Sequence, residues 1–229
     1  MEYIWDYLGK GAYNNRVGRY KFKRQHEFII KNGEKYFDKI LDVAGGSGRF
    51  ALPLRKYTKN ITVIDINTSA LELLKERADG RIEIIIGDFM ETEFKNVFSL
   101  ILCIEALGYF PNWEDFFNKV NKLLKTDGRF IFLYTNPNSW RFFLRKIKHW
   151  KKGFHQYKEM EFSELKTLLQ KCNFDIEKMD GMNWIPLPLT SNNIFVSFFE
   201  FTEKIFKLNN WYSQSPWLLI SVKKSKSFD

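Results

Sequence analysis

ILDVAGGSGRF, residues 40–50, decides the fold: a short apolar run ends in an acid, four residues nearly free of side chains follow, and apolar residues resume at Phe50. That order places Gly45–Gly48 where a buried strand turns into a helix, a turn that lets a ligand approach the backbone. Working outward, apolar runs rich in Ile, Leu, Phe and Val predict strands at 39–43, 61–65, 81–86, 98–104 and 129–134. Helical patterns lie between them near 49–57, 69–78 and 113–124. Strand and helix alternate, so the prediction is an α/β fold with a parallel sheet covered on both faces. A helix over 162–172 with Ser163 as its cap, then strands in FDIEKM (174–179) and PWLLISVKK (216–224), complete the order.

The chain has 229 residues with 45% hydrophobic content, which suits one decorated domain spanning 1–229. Within it the reading separates a cap segment over 1–36, a cofactor-binding core over 37–135 and acceptor-side helices with closing strands over 136–229. No leader pattern opens the sequence and no apolar run reaches the 18 or so residues of a membrane span. Cys103 and Cys172 sit in apolar or helical patterns without metal-ligand spacing, which fits a reduced cytoplasmic protein and no bound metal. The net charge of +9 admits nucleic acid, an anionic membrane or an acidic substrate. Much of the excess lies in RFFLRKIKHWKKGFHQYK, residues 141–158, which reads as a solvated helix face or as a binding patch.

GSGRFA, residues 46–51, satisfies the dinucleotide pattern G-x-G-x-x-G/A, and Asp65 ends the next strand at a distance suited to a ribose, so an NAD-dependent oxidoreductase is one reading. Asp42 before the glycines, Asp88 after the third strand and the two closing strands pull the other way. Together ILDVAGGSGRF, TVIDIN (62–67), IIIGDFM (84–90), LILCIEALGYF (100–110) and LLKTDGRFIFLY (123–134) resemble, in order, the motifs of the class I S-adenosylmethionine-dependent methyltransferases. The resemblance implies a Rossmann-like seven-stranded, mostly parallel sheet with helices on both faces, the last strand antiparallel, and a helical insertion between the closing strands.

It also implies S-adenosyl-L-methionine as cofactor and assigns residues to it. Asp42 would help hold the methionine ammonium, Asp65 both ribose hydroxyls and Asp88 the adenine amino group, with Phe89 against the ring. Gly46 and Gly48 would let the backbone approach the ligand, and Ala44, Ile66 and Cys103 complete the cofactor's surroundings. Asp65 reads alternatively as a helix cap. The sequence departs from the common pattern at Ala44, where a glycine is frequent and an extended backbone would tolerate alanine. Ser99 stands where the fourth strand often has an acid, and Tyr109 where a histidine is frequent. In the N-terminal segment, Tyr20 and Arg24 are expected at the cofactor and Tyr13 at the acceptor, or else all three belong to a helix packed on the sheet.

Methyl transfer is an in-line displacement, so orientation supplies much of the acceleration, and a base is needed only where the acceptor must lose a proton. Candidates are Glu105, Tyr109 and His155; His155 reads equally as an exposed or structural group, and Glu105 as a support near the cofactor. The acceptor is expected to be a small molecule, sugar or lipid-linked compound such as a glycolipid. An RNA methyltransferase is a weaker alternative, because the fourth-strand motif lacks the Asn/Asp-Pro-Pro-aromatic sequence and no RNA-binding module is visible. A catalytically silent scaffold is a third. No motif specifies an oligomeric state. Residues 181–216 separate the closing strands by far more chain than a hairpin requires. In that insertion Ile194, Phe198, Phe201, Ile205 and Leu208 follow helical spacing. It reads as extra core, as a lid with Trp184 and Phe198 lining the acceptor pocket, or as a peripheral contact with an anionic membrane at its inner face.

Overall fold

The computed structural model describes residues 6, 7, 9, 13–148 and 160–225. The chain enters through helix α1 (Arg16–Gly33) and then alternates: β1 (Ile40–Val43), α2 (Ala51–Leu54), β2 (Ile61–Asp65), α3 (Thr68–Ala78), β3 (Glu83–Ile86), β4 (Phe98–Cys103), α4 (Trp113–Leu123) and β5 (Leu124–Thr135). Helices α5 (Trp140–Lys148) and α6 (Phe162–Lys171), strand β6 (Phe174–Met182), helix α7 (Val196–Ile205) and strand β7 (Trp217–Lys224) follow. The seven strands form one sheet in the order β3-β2-β1-β4-β5-β7-β6. Strands β1 to β5 are parallel, and β7 runs antiparallel to both β5 and β6.

Successive strand residues point to opposite faces, so a run that is apolar throughout is buried on both sides. Ile101 and Cys103 of β4, with Phe130, Phe132 and Tyr134 of β5, join Phe116 and Phe117 of α4 and Leu165 and Leu169 of α6 on one face. Leu100, Leu102, Ile131 and Leu133 face the other way, onto Phe28 and Ile29 of α1 and Leu71 and Leu74 of α3. Each such side chain contributes roughly 1.5–3 kcal/mol by leaving water. The parallel sheet brings the carboxyl ends of β1, β2, β3 and β4 to one edge, where the glycine turn also lies.

Several expectations need correction. Helix α2 is a single turn, Ala51–Leu54, shorter than the predicted 49–57; Pro53 has no N–H to give the Arg49 carbonyl, so the helix is not bonded from 49. Ser163 is not the cap of α6: Glu161 is, in a capping box with Glu164. Nor is Asp65 the cap of α3, since Asn67 accepts from the Ala70 N–H. Ala44 is not extended; its φ is +55°, in the left-handed region. Gly48, at φ +85°, does not face a ligand, because a Cβ there would stand 2.4 Å from Leu74 Cδ1, so this glycine serves the packing of the turn on α3. Ser99 lies at the amino end of β4, where its hydroxyl donates to Tyr36 O and Lys39 O.

The insertion inverts its expected amphipathicity. Val196 and Glu203 of α7 are buried and Phe199 packs beside Val17 and Tyr20 of α1, whereas Ile194, Phe198, Phe201 and Ile205 stand between 56% and 69% exposed. The extra-core reading therefore fails for this stripe. Helix α7 is held from beneath by charge: Arg24 pairs with Asp180 at 2.5 Å and Glu203 at 3.0 Å, and Tyr20 donates its hydroxyl to Glu203.

Because Ala44 holds a left-handed conformation that costs a side-chain residue of order 1 kcal/mol, Ala44→Gly should raise the thermal unfolding midpoint. Gly48→Ala should lower it sharply, because strain and the clash with Leu74 act together. Calorimetric melting of both variants checks this, with equal midpoints as the contrary result.

Candidate active site

The turn after β1 opens onto a cavity of about 720 Å³ along the carboxyl edge of the sheet. Its first end is built by strand ends. Asp65, the last residue of β2, accepts from the Gly46 N–H at 2.8 Å and from the Asn67 N–H at 2.8 Å, so one carboxylate sets both the glycine turn and the entry to α3. Gly46 has φ +51°, and a Cβ there would meet nothing nearer than Asp65 Oδ2 at 3.8 Å, which leaves the backbone approachable from the cavity. Ile66 lines the same rim and is 73% exposed. Beyond it stand Asp88, whose Oδ1 accepts from the Met90 N–H at 2.7 Å, and buried Phe89, packed by Phe94, Phe110 and Phe116 into a fixed apolar wall.

Asp42 lines the floor. Its Oδ2 is buried with no hydrogen-bond partner, and burial, then the nearby Asp65 charge, push its carboxyl up to about 7 despite Arg49 and the Ala51 N–H. A buried carboxylate oxygen without a donor fits a cationic ligand group. The Nε of Arg49, also buried and without a partner, fits an anionic one. These two charges line the same cavity as the Asp65 carboxylate and the aromatic wall of Phe89. That donor set suits an amino acid joined to a nucleoside.

A clasp of charges closes the middle of the cavity. Glu105 follows β4 with φ +62°, and its Oε1 accepts from Arg49 at 2.7 Å and Gln25 at 2.8 Å. Its Oε2 accepts from the Lys21 ammonium and the Tyr13 hydroxyl, each at 3.3 Å. Burial alone would raise this carboxyl, but Arg49 and Lys21 with the hydrogen bonds of Gln25 and Arg49 overcome it and hold it down at about 2. Of the two readings of Glu105, this favours the support near the cofactor over the general base, since a carboxylate held so low takes up a proton poorly at neutral pH. Burial and the Glu105 charge push the Tyr13 hydroxyl up.

The second end is aromatic and apolar, with Tyr13, Phe142, Leu133, Leu189, Trp217 and half-exposed Tyr109 on its walls and Lys21 and Thr135 as polar groups. Lys21 and Arg49 went unnoticed in the sequence because both sit in helical or turn patterns that read as solvated positions; only their buried carboxylate partner, 84 and 56 residues away, marks them.

Other expected residues lie elsewhere. Tyr20 and Arg24 belong to the network under α7 and do not line the cavity. Cys103 is wholly buried in the core on the α4 face, its thiol pushed up by burial and by Asp42. Trp184 stacks on Trp211 at 5.7 Å and donates its indole N–H to Ser215, away from the cavity, and Phe198 points outward. The lid with these two residues as lining is thereby overturned. His155 lies outside the described residues. Among the described residues no group of three or more His, Cys, Asp and Glu is placed to hold a metal ion, and no helix is long and apolar enough to cross a membrane.

Comparison with known proteins gives the same direction. A family model described as a methyltransferase domain matches residues 41–132. A ubiquinone biosynthesis O-methyltransferase of Rickettsia typhi is 24% identical over 93% of this chain and 92% of its own length. A ubiquinone/menaquinone biosynthesis C-methyltransferase of Zymomonas mobilis is 32% identical over 53% of this chain and 52% of its own. Among solved structures, the magnesium protoporphyrin IX methyltransferase of Synechocystis with bound S-adenosylhomocysteine shares the fold at a TM-score of 0.65 and 11% identity, over 91% of this chain and 84% of its own. An N-methyltransferase of Bradyrhizobium japonicum in complex with S-adenosylhomocysteine does so at 0.64 and 15%, over 93% and 90%.

The raised Asp42 value gives a pH signature. In the protein alone Asp42 keeps a proton to about pH 7 that the unfolded chain loses at ordinary carboxylate pH, so this group's contribution to stability declines as pH rises through that window. An ammonium brought to Oδ2 favours the carboxylate, so S-adenosylhomocysteine binding below pH 7 should release a proton, and affinity should rise with pH to a plateau above about 7. Calorimetry in buffers of different ionisation heat reads both effects, and Asp42→Asn should abolish them; a pH-independent wild-type affinity would refute the placement.

Proposed function

We propose that this chain, which belongs to the class I S-adenosylmethionine-dependent methyltransferases and so is an enzyme that takes its methyl group from that cofactor, methylates a hydroxyl oxygen on a small aromatic acceptor of the quinone-precursor kind. The observation that carries the acceptor reading is the second end of the cavity, where Tyr13, Phe142, Leu189 and Trp217 enclose an apolar space joined directly to the cofactor end. The names of several relatives, ubiquinone biosynthesis O-methyltransferases, support the same class of acceptor.

When bound, S-adenosylmethionine supplies a methyl group on a positively charged sulfur. Asp65 takes the ribose hydroxyls, Asp88 and Phe89 the adenine, Asp42 the ammonium and Arg49 the carboxylate, with the Gly46 backbone beneath. The aromatic walls would orient an acceptor ring toward the cofactor end and keep water away, and positioning of this kind contributes roughly 7–11 kcal/mol. Glu105 keeps Arg49 and Lys21 at the junction of the two ends, so that the charges meet the ligands already oriented.

A lipid-linked acceptor presented at an anionic membrane is a second reading, favoured by the outward stripe of α7. Ile194, Phe198, Phe201 and Ile205 are exposed together, and the exposed charges on 194–211 are Lys204 and Lys207. An amphipathic face of this composition suits an anionic interface. The basic residues of α5 give less support for RNA, since Arg141 donates to Ile185 O and Leu187 O and ties α5 to the insertion.

Release of S-adenosylhomocysteine should be seen with catechols and related ring hydroxyls, and not with amines or RNA fragments. With a prenylated catechol carried in anionic vesicles, the double variant Phe198→Ser/Phe201→Ser should lose at least tenfold turnover while turning over water-soluble catechol normally. Turnover confined to amines or RNA would refute the aromatic hydroxyl; equal loss on both acceptors would refute the membrane stripe.

A further inference from the structure

Lys21 stands out among the groups that the cofactor end does not use. It lies on α1 with its side chain 2% exposed, yet it lines the cavity. Its ammonium sits 4.9 Å from the centre of the Tyr13 ring and 4.6 Å from that of Trp217, two walls of the acceptor end. Among the described residues its hydrogen-bond partner is Glu105 Oε2, at 3.3 Å, while the same carboxylate is held more tightly by Arg49 and Gln25 at 2.7 and 2.8 Å. The clasp thus sets two cations against one carboxylate whose stronger bonds go to the other cation. A buried amine so placed, beside two aromatic walls of the acceptor end, has hydrogen-bonding capacity left over.

We propose that Lys21 is a catalytic residue of the acceptor end, which accepts the hydrogen bond and then the proton of an aromatic hydroxyl and holds the resulting oxyanion in place for methylation. This rests on the aromatic-hydroxyl reading of the acceptor. In the step, the Lys21 ammonium first gives a proton to solvent, the hydroxyl proton passes to the resulting neutral amine, a lone pair of the acceptor oxygen forms the O–C bond, and the C–S bond breaks with its electron pair left on sulfur. This leaves the lysine an ammonium again, as it began. The chemistry suits the surroundings: burial pushes the Lys21 ammonium down, against the pull of Glu105 and with the help of Arg49, which favours the proton-accepting amine. Glu105, bound at both oxygens and held at about 2, keeps the lysine oriented without taking the proton itself. Thr135, also on the cavity wall, adds a hydroxyl at the same end.

The probe is 4-nitrophenol, whose phenolate is yellow, titrated into the full chain saturated with S-adenosylhomocysteine. Wild-type protein should bind the phenolate at least about tenfold more tightly than the phenol, seen as yellow colour below the pH at which the free probe ionises. Lys21→Met should remove that preference, with S-adenosylhomocysteine affinity changed less than about threefold. Lys21→Arg, which retains a cation and guards against a variant that merely misfolds, should still hold the phenolate but lose at least a hundredfold in turnover of unactivated catechol, since a guanidinium takes no proton. An unchanged phenolate preference in Lys21→Met would overturn the proposal. So would an S-adenosylhomocysteine affinity that falls as far as the preference, which would assign Lys21 to the cofactor. Failure of the probe to bind wild-type protein that does bind S-adenosylhomocysteine would instead remove the aromatic-acceptor reading on which the proposal stands.

Discussion

The Glu105 carboxylate organises this molecule's working edge. It stands after β4 in a left-handed conformation that an ordinary side chain adopts at a cost, and four groups converge on it: Arg49 from the glycine turn, Lys21 and Gln25 from α1, and Tyr13 before α1. Charge-assisted hydrogen bonds of this kind in a low-dielectric setting are strong, and leaving one partner unpaired costs more than the bond itself contributes. The N-terminal helix is therefore tied to the centre of the sheet at the place where the two ends of the cavity meet. Without this carboxylate, two buried cations would face each other across the site.

The same logic runs beneath the insertion. Arg24, Asp180, Glu203 and Tyr20 join α1, β6 and α7 through buried ion pairs and a hydroxyl donor, and burial raises the Glu203 carboxyl even with Arg24 beside it. These contacts hold Glu203 inward beside Val196 and Phe199, which is why the aromatic stripe of α7 points out. The inward side of α7 thus mixes Val196 and Phe199 with the paired Glu203, while Phe198, Phe201 and Ile205 remain exposed.

How much of this was legible in sequence follows from the range of the forces involved. The strands were legible because a parallel sheet covered on both faces demands uninterrupted apolar runs, and the order of motifs from ILDVAGGSGRF to LLKTDGRFIFLY brought Asp42, Asp65, Asp88 and Phe89 to one edge by topology alone. Local exceptions were harder. Nothing in an alanine announces φ +55°, and Gly46 and Gly48 look alike although one faces the cavity and the other faces Leu74. Helical spacing on α7 identified an apolar stripe but not which way it turns, since that is set by the buried pairing of Arg24 with Glu203, 179 residues apart. For the same reason the sequence leaves Tyr20 and Arg24 open between cofactor contact and helix packing and does not mark Lys21: one helix face carries all three, and only the tertiary positions of Glu105 and Glu203 separate their roles.

The most direct measurement is the effect of Glu105→Gln on α1, followed by hydrogen exchange with and without S-adenosylhomocysteine. If the carboxylate ties the helix to the site, exchange across Lys21 to Gln25 should rise strongly in the variant, S-adenosylhomocysteine affinity should fall at least tenfold, and the sheet strands should stay protected. Unchanged protection of α1 together with wild-type affinity would contradict the central role of Glu105.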